Sequence, residues 1–276
     1  MEANFLTDIF LPLALFIIML GMGLSLTPED FKRVVIYPKA VIIGLVAQLI
    51  MLPIIGFAIA SLSPLEPELA VGVMILAACP GGPTSNMVTF LAGGDVALSV
   101  TLTAISSLIT VFTIPLVVNF SMQTFLGQGT TLQLPFINTV LQIAVITLIP
   151  VAVGMVANKY APGIAAKADK PVKWLSLFFL AVVITGVLLR ERGNFISYVI
   201  DVGWVTLVLN LVTMALGFGI ATLTQLGEKR ATAITVEVGI QNGTLAIAIA
   251  KRCCKADRIF RDTFKYTHNG DSRSYL

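Results

Sequence analysis

The stretch "AACPGGPTSNMVTF", Ala77 to Phe90, cannot form one continuous helix. Pro80 and Pro83 each remove a backbone donor, and Gly81 and Gly82 loosen the chain between them. Its surroundings are apolar, and Leu69–Leu91 is long enough for a membrane span, which needs about 20 such residues. Interrupted backbone at membrane depth is tolerated only where it is buried in protein or lines a cavity. The plainer reading is a Pro-Gly kink that serves packing. The functional reading uses the groups set free by the break. Amides near Ser85 and Asn86, opening the second half-helix, form a partly positive end suited to an anion, and carbonyls closing the first half can hold a cation.

The rest of the chain fits a membrane setting. Hydrophobic residues make up 57% and charged residues 12%, with a mean hydropathy of +0.92, whereas soluble domains run near a quarter charged. Eight candidate spans follow: Ile9–Leu26, Tyr37–Leu62, Leu69–Leu91, Val96–Phe120, Leu134–Ala157, Val172–Leu189, Val199–Leu223 and Ala231–Ala250. Every backbone amide in such spans needs an internal partner, and the runs do not alternate as barrel strands would, so the expected fold is an all-α polytopic bundle. The net charge of +3 comes without a basic stripe, which argues against nucleic acid as a partner. The three cysteines and His268 offer no disulfide framework or metal-ligand spacing. There is no HExxH, no GxSxG with a partner histidine and no pair of intramembrane aspartates, so an enzyme is not expected. The acidic opening "MEANFLTDIF" lacks a signal peptide's basic region, and the first apolar run is expected to be retained.

Loop charges set direction. Lys32, Arg33 and Lys39 follow the first span, Lys159, Lys167, Lys170 and Lys173 the fifth, and Lys229 and Arg230 the seventh; these loops are expected on the cytoplasmic side of the cell (inner) membrane. The opposite loops "SLSPLEPEL" and "SMQTFLGQGTTLQ" carry no Lys or Arg. After Ala250 the polar, basic "KRCCKADRIFRDTFKYTHNGDSRSYL" would fall outside, against that rule. It reads as an aberrant or disordered tail, from truncation or a disturbed frame, or else as a short extracytoplasmic tail.

A second break is expected in "VEVGIQNGTLAIAIA", Val236 to Ala250, where Gly239 and Gly243 flank Gln241 and Asn242. Glu237 lies roughly 10 Å along a helix from the charged edge at Arg230, too deep for its short side chain to reach water. An intramembrane carboxylate is by default a functional candidate, and with no Lys or Arg nearby in sequence a bound cation is its simplest partner. Two preceding stretches, "QLIMLPIIGFAIA" from Gln48 and "NLVTMALGFGIA" from Asn210, share a polar start and a GF(A/G)IA ending. They suggest duplicated halves in opposite orientation, as in secondary transporters whose interrupted helices meet at the midplane. Ser99 and Thr103, four residues apart, share one helical face; such hydroxyls either bond their own backbone carbonyls or ligate. Several neutral oxygens with one carboxylate suit sodium better than a transition metal.

"CPGGPTSN", "GDVALSVTLT" and "EVGIQN", in this order and spacing, resemble the bile acid:sodium symporter family over about Ile9 to Ala250, in a bacterial member lacking the first and last helices. The resemblance implies a panel domain (9–26 and 134–189) and a core domain (37–120 and 199–250) within a transporter domain of residues 1–250, with inverted repeats and two discontinuous helices crossing in the core. It implies two sodium sites: one of Ser85, Asn86, Ser99, Thr103 and Glu237, the other of Gln48 and Gln241 with Glu237 and the carbonyls of Val238 and Ile240. Asn242, with Thr84 and Gly243, would face substrate. Pro83 stands where many relatives carry a hydroxyl residue. The expected function is sodium-coupled import of an organic anion, bile acid-like or a small carboxylate such as pantoate or pyruvate, by alternating access. The competing readings are a proton-coupled exchanger or channel using Glu237, and a truncated, non-transporting homologue.

Overall fold

The computed structural model describes residues 10–127, 136–190 and 195–250, and among them every regular element is helical. The basic C-terminal stretch read above as a tail lies outside the described residues. Proline starts many of these helices, where its fixed φ suits the first turn and its missing amide costs nothing. Pro28 opens α2 (Pro28–Ile36), Pro38 opens α3 (Pro38–Val46), Pro67 opens α5 (Pro67–Ala78), Pro83 opens α6 (Pro83–Leu91) and Pro162 opens α9 (Pro162–Arg190). The remaining helices are α1 (Leu11–Ser25), α4 (Leu52–Leu62), α7 (Val96–Phe125), α8 (Phe136–Tyr160), α10 (Phe195–Leu223) and α11 (Glu228–Gly239), followed by a helical segment over 243–250.

The chain is a multi-pass membrane protein. Among the described residues five helical runs are long and apolar enough to cross a bilayer: Pro38–Leu62, Val96–Phe125, Phe136–Tyr160, Val199–Leu223 and Glu228–Ala250. These match five of the expected spans within a few residues. The expected span Val172–Leu189 lies inside the continuous α9. Within the expected first span, α1 covers Leu11–Ser25, and the chain then turns by 64° into α2. The stretch α2 occupies was read as a polar loop. It is a helix because Asp30 accepts from the Thr27 amide at 2.8 Å, closing the first turn. It buries none of its residues.

Two packed groups can be distinguished. α1, α8 and α9 contact one another, with α1 and α8 brought close by Gly23 and Gly154, each of which faces the other helix's backbone with no room for a side chain. α10 packs on α11 and α4, α5 on α4 and α7, and α6 on α7 and α11. A shared apolar cluster, including Leu15 and Met19 of α1, Ile75 of α5, Ile114 of α7 and Ile143 of α8, joins the groups.

Candidate sodium site

Both expected breaks are present. α5 stops at Ala78 and α6 starts at Pro83; α11 stops at Gly239 and helix resumes at residue 243. Each break satisfies part of the other: the amide of Asn242 donates to the carbonyl of Pro80 at 2.8 Å. Asn210 of α10 donates its side-chain amide to the carbonyl of Gly239 at 2.7 Å, and Gln241 donates to the carbonyl of Val238 at 2.6 Å. Interrupted backbone therefore persists inside the bundle because protein groups replace the lost ladder.

Glu237 sits at this crossing and is fully buried. Ser85 donates to its Oε2 at 2.8 Å, Ser99 to the same oxygen at 3.0 Å, and Thr103 to Oε1 at 2.5 Å. Asn86 Oδ1 lies 2.7 Å from Ser99 Oγ and 3.2 Å from Thr103 Oγ1. Ser85 Oγ is also 2.7 Å from the Gly82 carbonyl, and Thr103 Oγ1 is 3.0 Å from the Ser99 carbonyl. Three hydroxyls thus face seven oxygen contacts within hydrogen-bond reach, and a hydroxyl has a single proton to give. With Asn86 presenting its oxygen, four of these seven contacts have no proton between them. Oxygens crowd in this way where a small hard cation is to be shared, and among the described residues no Lys, Arg or His forms an ion pair with Glu237. The donor set of hydroxyls, one amide oxygen and one carboxylate fits sodium.

All five residues expected for the first site are brought together, from α6, α7 and α11. Thr103 Oγ1 lies within reach of both the Ser99 carbonyl of its own helix and the Glu237 carboxylate. Thr89, buried one turn beyond Ser85, was not singled out from sequence; it donates to Ser99 at 3.3 Å. Its spacing of four from Ser85 on a short polar helix was the available signal.

Gln48 is 2% exposed, and neither its Oε1 nor its Nε2 has a hydrogen-bond partner. It sits in a π-helical turn, Ala47–Met51, just before Pro53, whose missing amide prevents a regular ladder from running on. This turn packs against α7 and α11. A buried amide without partners costs about 1–3 kcal/mol, and both polar atoms of Gln48 are left available to a ligand. Gln241 and Ile240 lie in the α11 break, half-buried, whereas the Val238 carbonyl already accepts from Gln241.

Of the three residues expected to face substrate, Thr84 and Gly243 are exposed, and Gly243 has open space where a side chain would stand. Asn242 is buried, and its Oδ1 caps segment 243–250 by accepting from the Leu245 amide at 3.0 Å. Sequence reading missed a second junction, between the turn that enters α7 and the start of α11. Asp95 caps α7, accepting from the Leu98 amide at 3.1 Å, while its own amide donates to the Lys229 carbonyl at 2.8 Å. Arg230 approaches Asp95 at 3.9 Å and stacks over Tyr37 at 4.3 Å from the ring centre.

The model of the Sodium Bile acid symporter family matches residues 12–198 of this chain. The chain belongs to that family. Its similarity to the "Uncharacterized sodium-dependent transporter YocS" of Bacillus subtilis is 33% identity, covering 87% of this chain and 73% of that protein. The "Probable sodium/metabolite cotransporter BASS2, chloroplastic" of Oryza sativa is 30% identical over 89% of this chain, and the human "Sodium/bile acid cotransporter 4" is 29% identical over 88%. The chain spans 57% of the rice protein and 56% of the human one. The family consists of transporters, not enzymes, and the sodium in its name agrees with the oxygen shell around Glu237.

Proposed function

We propose that this chain couples sodium entry to import of a small or bile acid-like organic anion across the cell's inner membrane, by alternating access. The observation that carries this reading is the buried Glu237 carboxylate with more oxygens around it than protons to share. Ser85, Asn86, Ser99, Thr103 and Glu237 hold the first sodium ion. Gln48 and Gln241, with Glu237 and carbonyls of the α11 break, hold the second, and the unpartnered amide of Gln48 supports this assignment. Two cations against one carboxylate leave the crossing positive, which favours an anionic substrate beside the half-helix amides and the exposed Thr84 and Gly243.

The proposed motion moves the expected core (37–120 and 199–250), which holds α3–α7, α10 and α11, against the expected panel (9–26 and 134–189), which holds α1, α8 and α9. Sodium favours an assembled crossing because its ligands come from separate elements. If two sodium ions enter with one monoanion, a potential of about 100 mV contributes roughly 2.3 kcal/mol. Tenfold sodium gradients add about 1.4 kcal/mol per ion. The total of roughly 5 kcal/mol is enough to concentrate substrate between three and four orders of magnitude.

The test is uptake of a panel of radiolabelled organic anions into proteoliposomes at fixed pH, with and without sodium. Sodium-dependent uptake of at least one anion is expected. Uptake driven by a pH gradient without sodium would replace this reading with a proton-coupled one, and anion binding without flux would leave only a binding protein.

Gln48 gives a sharper check on the second ion. Gln48→Leu removes a buried amide that has no protein partner, so thermal melts in sodium-free buffer should show stability raised by about 1–3 kcal/mol. The same variant should show a Hill coefficient for sodium lowered toward one. Loss of stability without sodium would mean that Gln48 is bonded within the protein instead.

A further inference from the structure

At the edge of the bundle, away from Glu237, a pocket of about 230 Å³ is lined by Tyr37, Lys39, Gln225 and Arg230 among others. We propose that this pocket binds the phosphate headgroup of an anionic phospholipid.

Its place in the fold comes first. Three spans end here: Pro38–Leu62 begins one residue after Tyr37, Val199–Leu223 ends just before Gln225, and Glu228–Ala250 begins just before Arg230. The pocket therefore opens at headgroup level. Its cations Lys39 and Arg230 belong to the loops expected on the cytoplasmic side by loop charge, where anionic lipids supply a negative surface.

Its chemistry comes second. The lining holds two cations and no carboxylate. Lys39 spends one ammonium proton on the Thr224 carbonyl at 2.6 Å, which fixes its position and leaves two donors. Arg230 is held by the Tyr37 ring, and its contact with Asp95 is long, at 3.9 Å through Nε, so the terminal nitrogens are not consumed by that carboxylate. Two positioned cations suit a phosphate diester.

The rim distinguishes a lipid from a free anion. Val35, Ile36 and Leu223 beside the pocket are 83%, 62% and 84% exposed. Such side chains are costly at a watery surface and favourable against acyl chains. A bound lipid would tie the start of α3, the helix leading to Gln48, to the start of α11, which carries Glu237.

The test uses the purified full chain in a neutral detergent, titrated with phosphatidylglycerol or phosphatidylcholine and followed by thermal shift. Phosphatidylglycerol should stabilise the chain and phosphatidylcholine should not. Lys39→Gln should weaken the phosphatidylglycerol response about fivefold, since a cation near a lipid surface contributes about that factor. Lys39→Arg should retain the response, and Lys167→Gln, which removes an exposed charge elsewhere, should leave it unchanged. Equal responses to the two lipids, or equal losses in Lys39→Gln and Lys167→Gln, would overturn the site. Inorganic phosphate reproducing the phosphatidylglycerol effect would overturn the lipid assignment in favour of a soluble anion.

Discussion

Glu237→Gln is expected to reduce sodium-dependent uptake by about two to three orders of magnitude while leaving the chain folded. The substitution keeps size and shape and removes only the charge. Ser85, Ser99 and Thr103 can still donate to the amide oxygen, so the three hydroxyl contacts survive in outline. What is lost is the one full negative charge in the shell. Removing one partner of a buried charge pair costs about 3–5 kcal/mol, and 1.4 kcal/mol is a factor of ten. Because Glu237 is shared between both proposed ions, the effect should appear in their cooperativity as well as in rate. Uptake against sodium concentration in proteoliposomes measures both. Wild-type uptake by the Gln variant would end the assignment of Glu237 to sodium.

Gly81→Ala should also be damaging, although it changes no polar group. A methyl group built on Gly81 would overlap the Glu237 carboxylate and come within 3.0 Å of Ser85 Oγ. Neither neighbour can retreat cheaply, since both belong to the same buried shell. Overpacking of this kind costs about 1–3 kcal/mol, and here the displaced atoms are the ligands themselves. Sodium-dependent uptake should fall more than tenfold, with helical circular dichroism retained. Gly72→Ala supplies the comparison within the same interrupted pair of helices, because a methyl there meets nothing within 4 Å. Equal uptake by the two variants would show that the close approach of α6 to Glu237 has no functional weight.

Much of the fold was legible because proline and glycine act locally. Pro80 and Pro83 dictate a break wherever the surrounding chain goes, and a carboxylate in an apolar run demands a partner whatever the topology. Those two facts single out the two breaks and Glu237; that Ser85, Asn86, Ser99 and Thr103 join Glu237 in one shell was implied by the resemblance of the three motifs to the family. The long-range details were not legible in the same way. Nothing near Asn210 in sequence says that its amide will close the end of α11, nor that Asp95 will meet Lys229 and Arg230 across more than 130 residues. The segment "PEDFKRVVI" reads as a charged loop because Lys32 and Arg33 follow the first span, yet Phe31, Val34 and Val35 share one helical face and the Thr27–Asp30 contact opens the helix α2. Asn242 shows the opposite difficulty. Its position at the crossing was readable, while its use as a helix cap depends on where segment 243–250 begins.

Sodium held by a proton-poor ring of oxygens is the claim on which the transport reading depends. Equilibrium binding of radioactive sodium to the purified full chain tests it without needing the substrate. Saturable binding is expected, resistant to excess potassium in the wild type and abolished in Glu237→Gln. Absence of saturable binding in the wild type, or equal binding by the Gln variant, would contradict it.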